Sequence, residues 1–109
     1  MLLIIEKKLS DSDLQKVAED LKGYIKVVVD IDQQILAAGG LRHVDGEQLL
    51  LRNGSRQENL WGGGLDLETH EIDFDSMINL RPSQGNTSRE ILSEGVRIKM
   101  IKIVRKLLK

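Results

Sequence analysis

The sequence predicts an α+β fold: one domain over residues 1–109, with a mixed or mainly antiparallel sheet and two helices, about 10–22 and 88–108, packed on it. Three observations carry this expectation. Short β-branched runs are interleaved with segments of helical period. Apolar residues make up 40% of the 109 positions and are spread along the whole chain. No repeat, low-complexity linker or shift in composition divides the chain, and a polypeptide of this length supports one core, not two.

The elements follow in order. Leu2–Glu6 is a short aliphatic run and predicts a buried strand. Ser10 and Ser12 offer helix N-caps, and Ser12 with Gln15 forms a capping box. Leu14, Val17, Ala18 and Leu21 then lie on one helical face, which Gly23 can end through a positive φ. Tyr24–Asp32 is β-branched, with Ile25, Val27, Val29 and Ile31 on one face. Lys26, Val28 and Asp30 point to the other, which is expected to be half-covered. Ile35–Ala38 is a second run that can pair with the first as a hairpin.

Residues 41–60 allow two arrangements. Asp45 can cap a short helix through Leu51, or Leu49–Arg52 can be a strand turning at Asn53–Gly54. Trp61 leads into Gly62-Gly63-Gly64, a flexible stretch that allows close backbone approach. Leu65–Leu67 and Glu71–Leu80 read as strands, the second by strict alternation of Ile72, Phe74, Ser76, Ile78 and Leu80 with polar positions. Pro82 ends that strand and opens the polar loop Arg81–Ser88. Thr87 with Glu90 forms another capping box and starts the last helix. Val96, Met100, Ile101, Ile103, Val104, Leu107 and Leu108 make its apolar stripe, and Gly95 divides it.

The net charge of −1 conceals a segregation: residues 30–75 carry −7 and residues 81–109 carry +6. From Gly95 onward there are six bases and no acid. A basic amphipathic helix can meet nucleic acid, an anionic surface or an acidic partner. The acidic middle of the same chain supplies the simpler expectation, that the helix is neutralised within the fold.

Several chemistries fall away. No cysteine means no disulfide and no thiolate catalysis. No apolar run approaches the ~18 residues of a membrane span, so no membrane partner is expected and the cytoplasm is the natural location. The near-neutral charge and three aromatics speak against nucleic acid. Those three, Tyr24, Trp61 and Phe74, are expected as core anchors rather than stacking platforms. None of the familiar nucleophile-elbow, zinc-helix, dinucleotide or calcium-loop motifs occurs, so catalytic residues and cofactor are unknown.

Two constellations stay as candidates. Arg81, Ser83, Gln84, Gly85, Asn86, Thr87, Ser88 and Arg89 form a polar loop running into a helix start, where free amides and the dipole favour an anion such as a phosphate-bearing ligand. The competing account is a loop whose side chains bond their own backbone. Asp30, Asp32, His43, Asp45 and Glu47 are weak metal ligands that would need to converge. His43 and His70 are the only neutral-pH bases.

The strings VVVDIDQQILAAGG (Val27–Gly40), GSRQENLWG (Gly54–Gly62) and SMINLRPSQGN (Ser76–Asn86) resemble a family of small bacterial and archaeal proteins that share a domain of unknown function. The resemblance covers most of the chain. It implies a small prokaryotic intracellular protein and supplies no reaction, ligand or catalytic residue. The first functional expectation is therefore an anion-binding module using Arg81–Ser88. The alternative is a non-enzymatic module that forms a homo-oligomer through the last helix and a strand edge. A metal-dependent phosphoester hydrolase or nuclease comes third.

Overall fold

The computed structural model describes residues 1–109. Five strands run in chain order: β1 (Leu3–Ile5), β2 (Tyr24–Asp30), β3 (Ile35–Ala38), β4 (Leu60–Asp66) and β5 (Ile72–Asp73). They form one sheet in the order β1–β3–β2–β4–β5, and every pairing is antiparallel. Three helices pack on it: α1 (Asp11–Ala18), α2 (His43–Arg52) and α3 (Glu94–Leu107). The fold is thus the α+β class the sequence predicts, with one helix more than expected. That helix is α2, which settles residues 45–52 as helical.

The period-two pleat of β2 sorts the core into two layers. Ile25, Val27 and Val29 join Leu14, Val17 and Ala18 of α1 and Met100, Ile103, Val104 and Leu107 of α3. Val28, on the opposite face, packs with Ile35, Ala37, Leu50 of α2 and Leu60. Full burial of each such aliphatic side chain is worth about 1.5–3 kcal/mol relative to exposure. Gly46 lets α2 lie close to the sheet: a Cβ there would sit 3.2 Å from Val28 Cγ2 and 3.3 Å from Ala37 Cβ.

The hairpin between β2 and β3 is built by Asp30. Its Oδ1 accepts from the amides of Asp32 and Gln33, each at 2.9 Å, and its Oδ2 accepts from Ser55 Oγ at 2.7 Å. This is the local turn chemistry of aspartate, tied down by a second loop. Ser10, not Ser12, caps α1, accepting from the Asp13 amide. Gly23, at φ +94°, closes the turn after that helix by donating its amide to Ala18 O.

Two sequence expectations need correction. Residues 71–80 are not one strand: only Ile72–Asp73 pairs with β4, Asp75 forms an isolated antiparallel bridge with Glu90, and Met77–Asn79 is a 3-10 turn capped by Ser76. The alternation is overridden because Asn79 is drawn fully inside and its side chain bonds four backbone groups, from Gly62 to Arg89. The last helix begins at Glu94, not at 88, and its cap is Ser93. Residues 89–92 are held extended instead, with Ile91 N–H donating to Phe74 O and Ser76 N–H donating to Arg89 O. Ile91, fully buried, anchors that stretch to the core.

The glycine run is not a linker. Gly62, Gly63 and Gly64 are paired along β2 in the centre of the sheet. A Cβ on Gly64 would overlap the Tyr24 hydroxyl, and one on Gly62 would lie 2.7 Å from Ser76 Cβ. Glycine is therefore required because a ring and a turn lie directly on this strand.

Candidate functional site

The Arg81–Ser88 loop uses its polar groups internally. Arg81 donates from Nη1 to Gln57 O at 2.5 Å and from Nη2 to Leu60 O at 2.7 Å, and its guanidinium stacks on Trp61 at 4.0 Å from the ring centroid. Burial pulls the Arg81 pKa down, while the nearby Glu47 charge opposes the shift. Asn86 is buried; its Nδ2 faces the carbonyls of Asn79, Ser88 and Glu90, and its Oδ1 accepts from the Leu92 amide. Gln84 donates to Glu58 O, and Ser88 Oγ accepts from the Glu90 amide. Gly85 takes a left-handed φ of +78° to end the 3-10 turn Pro82–Gln84. Ser83 and Thr87 are exposed. The loop does not open into a helix, since α3 starts beyond it, so the amide cluster that favours an anion is not formed there.

The acidic candidates are also separated in role. Asp30 builds the β2–β3 turn and Asp32 is exposed beyond it. Asp45 pairs with Arg42 at 3.1 Å, and Glu47 is buried on α2 with 6% of its surface exposed. No group of three His, Asp or Glu side chains has metal-holding geometry. His43 alone of this set reaches a cavity.

That cavity, about 300 Å³, lies on the α2 face of the sheet. Its floor is Tyr24 and Lys26 of β2; its walls are Arg42, His43 and Val44 at the start of α2, and Asp75–Ile78 with Arg89 opposite. The pleat that puts Val28 into the α2 core turns Lys26 and Tyr24 to the same side, and the missing side chains of Gly62 and Gly64 let Ser76 and the Tyr24 ring lie against β4. Arg42, the residue before α2, provides no side-chain cap. The Asp45 amide donates to Arg42 O at 3.2 Å, which leaves the amides of His43 and Val44 at the positive end of the helix dipole.

Three cations line this cleft against one carboxylate, Asp75. Arg89 pairs with Asp75 at 3.3 Å and Arg42 pairs with Asp45. Lys26, half-buried, has no carboxylate within ion-pair distance. His43 contacts Gly63 O through Nε2 at 2.7 Å. A carbonyl can only accept, so this nitrogen carries the proton and Nδ1 is the lone-pair side. Burial pushes the His43 pKa below its usual value of 6.5; the Gly63 hydrogen bond opposes this and the Lys26 charge adds to it. The imidazole is therefore neutral at neutral pH. Tyr24 donates its hydroxyl to Asp73 Oδ2 at 2.5 Å, and burial together with that carboxylate pushes the phenol well above its ordinary range. It serves as a fixed donor and not as a base.

Of the sequence candidates, only His43 and Arg89 line the cleft. Lys26, Tyr24, Arg42, Ser76 and Met77 were missed. One signal was legible: Lys26 interrupts the apolar run Ile25–Val29 on the face where Val28 is buried, and a lone cation there needs a reason to be half-covered.

The family model described as "Protein of unknown function (DUF5674)" matches residues 3–107. No curated protein and no solved structure matches the chain.

Proposed function

Since the chain belongs to the DUF5674 family of unknown function, we propose from its own geometry that it is a non-enzymatic module binding a small phosphate-bearing anion in the cleft before α2. The single observation that supports this reading is Lys26: a half-buried lysine with no ion-pair partner, lining one cleft with a neutral histidine and a helix start that has no side-chain cap. Charges are rarely covered without a partner. A phosphate here accepts from the Lys26 ammonium, from the first amides of α2 and from Arg42 or Arg89 after those exchange a surface carboxylate. Surface ion pairs of that kind hold by ~0–1 kcal/mol and are readily traded. The site keeps the ligand class expected from the sequence and moves its place from Arg81–Ser88 to the opposite side of the turn, with Arg89 shared.

Isothermal titration with inorganic phosphate, a phosphosugar and a nucleoside monophosphate tests the reading. A charge-assisted hydrogen bond contributes about 1.5–3 kcal/mol, so Lys26→Met lowers affinity about tenfold or more. Absence of uptake of all three by the wild type at millimolar concentration ends the proposal.

A further inference from the structure

The basic helix is not neutralised by its own fold, contrary to the expectation from charge segregation. Of the eight bases in residues 81–109, only Arg89 and Arg97 have a carboxylate partner. Lys99, Lys102, Lys106 and Lys109 are exposed and have none, and Arg105 donates to the carbonyls of His70 and Lys109. Ile98 and Ile101 stand among them on the outward side of α3, 46% and 39% exposed, and so contribute little to the core. Beside this face a recess of about 250 Å³ opens between α3 and the turn after β2, lined by Ile31, Gln34, Lys99, Lys102 and Ile103. It has an aliphatic floor and a cationic lip.

We propose that the outward face of α3 is a docking surface for an acidic amphipathic segment of another protein. Carboxylates of the segment meet the four unpaired lysines, and its aliphatic side chains cover Ile98 and Ile101 and enter the recess. Three alternatives fit the surface less well. A second copy using the same face opposes six positive charges to six. Nucleic acid has no use for two exposed isoleucines, and the face has no aromatic ring on which bases stack. An extended anionic sheet such as a bilayer also meets the remainder of the chain, residues 1–94, which sums to −7. The positive charge is local, confined to a helix about 21 Å long, and a short segment matches that length. Helix-in-groove docking with aliphatic anchors at i and i+3 has the same spacing as Ile98 and Ile101.

The full chain is titrated into a dye-labelled helical peptide of leucine and glutamate, leucines at i, i+3 and i+7, at about 0.15 M salt. Polyglutamate, duplex DNA and vesicles of phosphatidylcholine with phosphatidylglycerol are run beside it. The expected result is peptide binding that exceeds all three, falls about tenfold in Lys99→Glu/Lys102→Glu, and falls severalfold in Ile98→Ser/Ile101→Ser. All four positions are exposed, so thermal unfolding of the variants stays at the wild-type temperature and separates docking from folding. No peptide binding, tighter binding to DNA or vesicles, or an isoleucine variant equal to wild type overturns the proposal.

Discussion

The segment from Phe74 to Leu92 and the cleft before α2 both carry arginine and serine, and Asp75–Ile78 and Arg89 belong to both, yet the two regions use their polar groups in opposite ways. In the segment the long polar side chains hold backbone groups: Asn79, Asn86 and Arg81 between them bond carbonyls or amides of eight other residues, and Asn86 also bonds the carbonyl of Asn79. In the cleft Lys26 has no ion-pair partner, and the start of α2 has no side-chain cap. A polar residue that closes a loop is structural however suggestive its neighbours. One that lines an open cleft with no partner of its own is where binding is to be sought.

The largest effect that separates the two regions is expected from Asn79→Ala. It leaves the Gly62 amide and carbonyl without their Asn79 partner, while Phe74 O and Arg89 O keep the amides of Ile91 and Ser76, at about 1–3 kcal/mol per group left unsatisfied and less than additively. Urea unfolding should show a loss of about 3–4 kcal/mol; a loss below about 1 kcal/mol would break the structural half of the comparison. Arg81→Met comes next, at about 1–3 kcal/mol from two lost carbonyl bonds and the stack on Trp61. Its affinity for phosphate should equal that of the wild type, because Arg81 does not line the cleft.

Two titrations sharpen the other half. His43 has a depressed pKa in the fold, so the unfolded chain takes up its proton first as pH falls. Stability contributed by the neutral imidazole is complete above the unfolded value of about 6.5 and is lost as pH drops through it toward the folded value. His43→Gln should flatten the stability profile in that window; a profile identical to wild type contradicts the burial assigned to this ring. Tyr24 is the only tyrosine, so absorbance near the phenolate band reports it alone. Its ionisation should be delayed beyond that of free tyrosine, and Asp73→Asn should bring it partly back, as one of the raising causes is removed.

The α+β class, the hairpin of β2 and β3, the first helix and the aliphatic stripe of α3 were legible in the sequence, because each is written in local periodicity and caps. The stretch from Glu71 to Leu92 was not. Its alternation imitates a strand, and Thr87 with Glu90 imitates a helix start, but the decisive term is tertiary: the pull of Asn79 and Ile91 into the interior redirects both. The three glycines were read as flexible and open to close approach; the close approach holds, but only the folded structure places the Tyr24 ring and the Ser76 turn upon them and makes the stretch a paired strand. The cleft was half legible. Its cation sits in a β-branched run in plain view, but the helix start that faces it belongs to residues whose periodicity allowed two structures.

The proposed site rests most directly on Lys26, and one titration decides it. Inorganic phosphate is added to wild type, Lys26→Met and Arg81→Met under identical salt, each variant first shown to be folded. A single saturable site in the wild type, weakened about tenfold by Lys26→Met and untouched by Arg81→Met, is the predicted result. Equal binding by wild type and Lys26→Met, or loss confined to Arg81→Met, would return the anion to the polar loop and contradict the assignment of the cleft.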